Sequence, residues 1–199
     1  MPRAMRPFVT CAFLALAGIG HATAVGAAQT RASPDSSPAA SAPAASASAA
    51  SLSADSAPAW LVADPAAKTV TIALQVTHGA DGAALINGHR KGELQIVVPL
   101  NWTVQWDWRN ADSTAPHSLV IMAEREKLPT EGGRAAFSNA MTRSVTAGLP
   151  AGQGDRTTFT AEEAGWYWLL CGVPSHAIGG EYLGLRVDPE AKTAVVRRK

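Results

Sequence analysis

Cys171-Gly172-Val173-Pro174-Ser175-His176 sets a thiol and an imidazole five positions apart, across a turn punctuated by Gly and Pro. If the cysteine ends a strand, both side chains can face one point. A single Cys-x4-His spacing is weak by itself, because such spacings arise by chance. Far upstream, however, His117 opens the apolar run Ser118-Leu119-Val120-Ile121. Two imidazoles and one thiolate, drawn from two adjacent strand ends, form the trigonal set that binds copper tightly and suits rapid electron transfer.

The remaining cysteine, Cys11, falls in a segment that reads as an export signal. Arg3 and Arg6 precede an uncharged run from Phe8 to Gly20, and Ala22-Thr23-Ala24 offers a small-x-small cleavage site. Residues 1–24 are therefore expected to be a signal peptide, or an uncleaved anchor. Cys11 lacks the small neighbours of a lipoprotein cysteine and reads as apolar filler. Cleavage leaves Cys171 as the only thiol. A lone cysteine in an exported protein must be an inert buried side chain, an intermolecular cross-link, or a ligand or reactive group.

Residues 25–59 are expected to be a disordered tether. From Ala32 to Ala59 every residue is Ala, Ser or Pro except Asp35, Leu52 and Asp55, a composition with little to bury. As a flexible coil it would reach about 30 Å. The 199 residues carry 17 Lys plus Arg against 16 Asp plus Glu. That balance argues against a nucleic-acid-binding basic patch, since phosphate recognition is driven by clustered cations.

The ligands need a rigid frame, and residues 60–188 read as one. Short β-branched and aromatic runs separated by Gly, Pro and Asp predict strands at Thr69–Val76, Glu93–Val98, Thr103–Arg109, Ser118–Met122, Arg156–Thr160, Gly165–Cys171 and Tyr182–Val187. Seven strands without a helical stripe predict an all-β, Greek-key sandwich or barrel. Trp102, Val104, Trp106 and Trp108 share one face of their strand, which is expected to be core. Residues 124–154 break the rhythm and read as a long excursion with room for one short helix, with no named chemistry and no role beyond contact with a partner. Asn110 and Asp112 read as turn residues, and His78 and His89 as surface. Residues 189–199 read as a basic C-terminal tail.

Several separated stretches, in order, resemble the sulfocyanins, cupredoxins related to rusticyanin. They are Ile86-Asn87-Gly88, Gly92-Glu93-Leu94, Val98-Pro99-Leu100-Asn101-Trp102-Thr103-Val104, Pro116-His117-Ser118-Leu119 and Cys171-Gly172-Val173-Pro174-Ser175-His176-Ala177. The likeness spans most of Val70–Val187. It implies a cupredoxin fold holding one copper ion on His117, Cys171 and His176. In the family a methionine normally follows the second histidine by five positions as a weak axial ligand; here that position is Glu181. Two alternatives stay open: Glu181 binds the metal as a hard anionic donor, or it turns toward solvent or a backbone donor and leaves copper three-coordinate. Met122 and Met141 are poor substitutes by position. Ser118 is expected to tie its strand end to the Cys171 loop, and Pro174 to withhold a backbone N–H from the thiolate.

The reading is thus an exported, periplasmic one-electron carrier, with no catalytic residues, serving redox partner proteins such as cytochromes or an oxidase. Membrane association would come only through an uncleaved anchor. Alternatives are a small copper enzyme or sensor with a carboxylate-bound, red-copper-like site, or a copper delivery or storage protein.

Overall fold

The computed structural model describes residues 57–199, so the expected signal peptide and almost all of the expected tether lie outside the described residues. Ten strands follow one another: β1 (Leu61–Asp64), β2 (Thr69–His78), β3 (Ala84–Ile86), β4 (Leu94–Pro99), β5 (Thr103–Asn110), β6 (Val120–Ala123), β7 (Gly154–Thr160), β8 (Gly165–Leu170), β9 (Tyr182–Asp188) and β10 (Val195–Arg198). They form two five-stranded sheets. One runs β1-β2-β5-β7 with β3 also paired to β2, and the other runs β10-β4-β9-β8-β6. β2 lies parallel to β5 and β4 parallel to β9, and the remaining pairs are antiparallel.

Alternation decides which faces meet. Val70, Ile72, Leu74 and Val76 of β2 and Val104, Trp106 and Trp108 of β5 are buried, while Thr71, Ala73, Gln75, Gln105, Asp107 and Arg109 between them are exposed. A pleated strand with one wet face must read this way. Across the interior these side chains meet Leu94, Ile96 and Val98 of β4, Tyr167 and Leu169 of β8, and Leu183, Leu185 and Val187 of β9 in one cluster. Trp102 is buried with them, whereas Trp166 is 48% exposed, with Arg186 and Lys199 over its ring.

Three strands escape the sequence pattern. β1 and β3 are too short to show a period, and β10 lies in the segment expected to be a basic tail. Its Val195 and Val196 pair with Val97 and Ile96, so residues 195–198 extend the second sheet as an edge strand while Arg197 and Arg198 stay exposed. Ile86-Asn87-Gly88 forms a turn with positive φ at Asn87 and Gly88, and the Asn87 amide bonds to Ala73 and Gln75 of β2.

The excursion between β6 and β7, whose sequence left room for one short helix, contains none. Its backbone instead bonds along β6, through Ala136 N to Ile121 O, Ile121 N to Ala140 O and Thr142 N to Leu119 O. Phe137 enters the interior and packs on Phe159 and Tyr167. β6 and β7 are edges of different sheets. The segment therefore closes one side of the sandwich, and pairing to β6 satisfies backbone groups that a helix would have bonded internally.

Candidate metal centre

His117 precedes β6, Cys171 follows β8, and His176 and Glu181 lie on the loop from Cys171 to β9. β6 and β8 are neighbours in antiparallel register, with Val120 opposite Leu170. That register brings His117 beside Cys171, as expected for two adjacent strand ends.

The donor atoms converge. Cys171 Sγ lies 4.0 Å from His117 Nδ1 and 3.6 Å from His176 Nδ1, and the two nitrogens are 3.3 Å apart. A point in the plane of this triangle sits about 2.1 Å from all three atoms, within the ~2.0–2.3 Å range of bonds from a first-row divalent ion to imidazole or thiolate. Glu181 Oε2 joins them, 2.8 Å from His117 Nδ1 and 3.1 Å from His176 Nδ1. All four donors lie within 4.8 Å of one another.

Glu181 is only 2% exposed, so its carboxylate faces the cluster and not solvent. Its other oxygen, Oε1, is buried without a hydrogen-bond partner. A carboxylate without a full set of donors is costly to bury, and a cation supplies what is missing. Met141 is 42% exposed, and Met122 accepts a bond from Gly133 N; neither belongs to the cluster.

Neighbouring groups hold the donors in place. Ser118 N donates to Cys171 Sγ at 3.4 Å, Ser118 Oγ donates to Val145 O at 2.6 Å, and Gly172 N donates to Ser118 Oγ at 2.9 Å. Ser118 thus makes the tie between strand end and cysteine loop that its position suggested. Ser175 has a φ of 71°, a conformation costly for a residue with a side chain, and Ser175 N bonds to Thr130 O at 2.7 Å. That bond anchors the backbone just before His176. Gly132 N donates to Gly172 O, and a Cβ on Gly132 would stand 2.7 Å from Gly172 Cα, so the excursion lies directly against the cysteine loop.

Asp112 is the residue whose role the sequence hid. One oxygen, Oδ1, makes the turn that sequence reading assigned, accepting from Thr114 N and Thr114 Oγ1. The other, Oδ2, lies 3.1 Å from His117 Nε2 and 3.4 Å from His78 Nδ1, with Asp112 itself 2% exposed. A carboxylate on the far nitrogen fixes the ring and leaves Nδ1 to bind. The only sequence signal was an acid five positions before His117, which a turn explained equally well. His78 keeps 43% side-chain exposure, and His89 is half-buried beside Glu93.

Charge is shared unevenly in the metal-free cluster. Burial opposes protonation of His117, but Cys171, Glu181 and Asp112 outweigh it and push His117 up to about 10. Cys171 and Glu181 push His176 up to about 9 against the opposing effect of burial. Burial pushes the Cys171 thiol up, yet the two imidazoles draw it below its ordinary value. Burial likewise raises the Asp112 carboxyl, and bonds from Thr114 and His117 bring it well below the usual range.

A pH dependence of folding follows. Stability from the two histidines is complete below their ordinary 6.5 and is lost as pH climbs through about 9 and 10. Stability from the lowered thiol is present above its ordinary 9.0 and is lost as pH falls through the folded value. Two imidazoles outnumber one thiol, so between about 6.5 and 9 the folded chain holds the extra proton. Metal-free stability is expected to fall as pH rises through that window, on the order of 1 kcal/mol per unit. Urea unfolding in chelator at several pH values measures it, and a profile that rises with pH contradicts it.

A family model for the sulfocyanin (SoxE) domain matches residues 56–194. The chain belongs to the sulfocyanin family. Sulfocyanins are cupredoxins, the two-sheet sandwich described above is the cupredoxin arrangement, and the cofactor is one copper ion, which the four-donor cluster could hold. No curated protein matches the chain. Among solved structures, reduced auracyanin from Roseiflexus castenholzii aligns at 22% identity and TM-score 0.42, over 60% of this chain and 97% of that one. Rusticyanin from Thiobacillus ferrooxidans aligns at 20% identity and TM-score 0.40, over 61% of this sulfocyanin and 82% of that chain. A multicopper oxidase aligns at 18% identity and TM-score 0.43, over 61% of this chain and 43% of that one.

Proposed function

We propose that this sulfocyanin is an exported one-electron carrier whose copper ion is bound by His117, Cys171, His176 and Glu181. The convergence of four donor atoms from two stretches of chain far apart in sequence carries the reading. A bound copper ion supplies a Cu(II)/Cu(I) couple. The chain's own task is to keep the donors still between the two states, which limits rearrangement. Ser118 holds the sulfur, Asp112 holds the His117 ring, and Thr130 holds the backbone before His176.

His117, Cys171 and Glu181 are buried, whereas the His176 side chain is 26% exposed. Ile178, two residues on, is 55% exposed. This apolar edge is where a cytochrome or oxidase in a periplasmic or membrane-surface chain would bring its own redox centre. The leader and the Ala/Ser/Pro segment fit a protein exported and, if the leader is kept, tethered at the membrane.

A second reading has its own observation. A cavity of about 280 Å³, lined by His78, Asp112, Thr114, His117, His176 and Glu181 among others, opens beside the donors. It favours a small copper enzyme or sensor that admits an exogenous molecule. A delivery or storage role would instead exploit a carboxylate that holds Cu(II).

Electron paramagnetic resonance of the Cu(II)-loaded protein tests the proposal. A single copper signal with resolved hyperfine coupling and one ion per chain is expected, unchanged by azide or nitrite. Spectral perturbation by either anion at modest concentration shifts the assignment to the second reading. Failure to load copper removes both.

A further inference from the structure

Away from the donor cluster, the segment after β6 reads Glu124-Arg125-Glu126-Lys127, acid and base alternating. In the structure Arg125 and Lys127, joined by Arg134, line a cavity of about 290 Å³ that no glutamate lines. Among the described residues, none of these three cations has a carboxylate within 4.0 Å. Met122, Ala135 and Trp168 contribute apolar wall to the same cavity. A concave apolar surface ringed by unpaired cations favours a partner group bearing several negative charges on an apolar base.

Its place in the fold suggests what that partner is. Trp168 stands on β8 three residues before Cys171 and packs in a cluster with Leu170 and Ala177, the neighbours of Cys171 and His176. Along an extended strand that separation is about 10 Å. We propose that this cavity is a docking site for the acidic surface of a redox protein, distinct from the His176 edge, through which one electron leaves the partner's centre, crosses β8 and reduces Cu(II) to Cu(I). The electron route rests on the carrier reading, while the anion preference does not. Glu124 and Glu126 of the same segment are exposed beside the cavity, and they would meet a continuous anionic sheet such as a bilayer with like charge.

The test uses the full chain in a diamagnetic state, Cu(I)-loaded or metal-free, with hexacyanochromate(III) as a redox-inert paramagnetic trianion. Nuclear magnetic resonance signals of the Trp168 indole and the Ala135 methyl are expected to broaden, and the combined variant Arg125→Gln, Lys127→Gln, Arg134→Gln to weaken the effect at least tenfold. In the Cu(II) protein, the same variant is expected to slow reduction by ferrous cytochrome b5, an acidic haem protein, at least tenfold, while reduction by hexaammineruthenium(II) stays within twofold. Broadening confined to His176 and Ile178, or unchanged in the variant, overturns the proposal. So does equal slowing with both reductants, and so does charge-dependent sedimentation with phosphatidylglycerol vesicles without localised broadening, which would assign the cations to a membrane. Failure of the carrier reading would appear separately, as a protein that binds no copper yet still localises the trianion.

Discussion

Cys171→Ala is expected to abolish the thiolate-to-Cu(II) charge-transfer band of the copper-loaded protein and to lower copper affinity by more than 100-fold. Loss of an outer residue that merely orients a ligand costs about 10–100-fold, and removal of a donor must exceed that. Cys171 supplies the only sulfur in the cluster, and its thiol is already biased toward the thiolate by the two imidazoles. A vacated sulfur also leaves Ser118 N without its acceptor. Absorption spectra and competition against a chelator measure the two effects. A band that persists at full intensity in the variant would place the metal elsewhere.

Glu181→Met is expected to raise the reduction potential and move the spectrum toward that of a blue site. The carboxylate is a hard anion that stabilises Cu(II) over Cu(I), and a thioether is soft and neutral. At an effective dielectric of about 20, one unit charge acting over roughly 3 Å is worth on the order of 5 kcal/mol, a couple of hundred millivolts for one electron. The contribution is large because Glu181 is buried, with Oε1 unpartnered and Oε2 on both imidazoles. Voltammetry of the wild type and the variant checks it. Identical potentials and spectra would mean that the carboxylate does not bind the metal. Glu181→Gln separates charge from donor type, since it keeps an oxygen and removes the anion.

The frame of this site was readable because its strands alternate strictly. Trp106 and Trp108 could lie only on a core face once Gln105 and Asp107 were seen between them. The clustering of His117, Cys171 and His176 was readable for a related reason, since Cys171 and His117 flank recognisable strands and His176 follows within one loop. Glu181 was ambiguous because its direction depends on the turns between Ser175 and Gly180, where both residues have positive φ, and no spacing rule encodes that path. Asp112 was legible only in part: its two oxygens do different work, and sequence patterns show only the local turn. The course of the excursion was not legible because its backbone pairs along β6, a tertiary contact that no local pattern records.

The excursion's grip on the cysteine loop carries a lesson for protein engineering. Gly132 abuts Gly172, Thr130 anchors Ser175, and Val145 O receives the Ser118 hydroxyl. The thirty-odd residues before β7 and the short stretch after β8 therefore behave as mould and casting. Grafting the Cys-to-His loop alone onto another cupredoxin scaffold would leave it unsupported, and a transplant that preserves this centre must carry both pieces together.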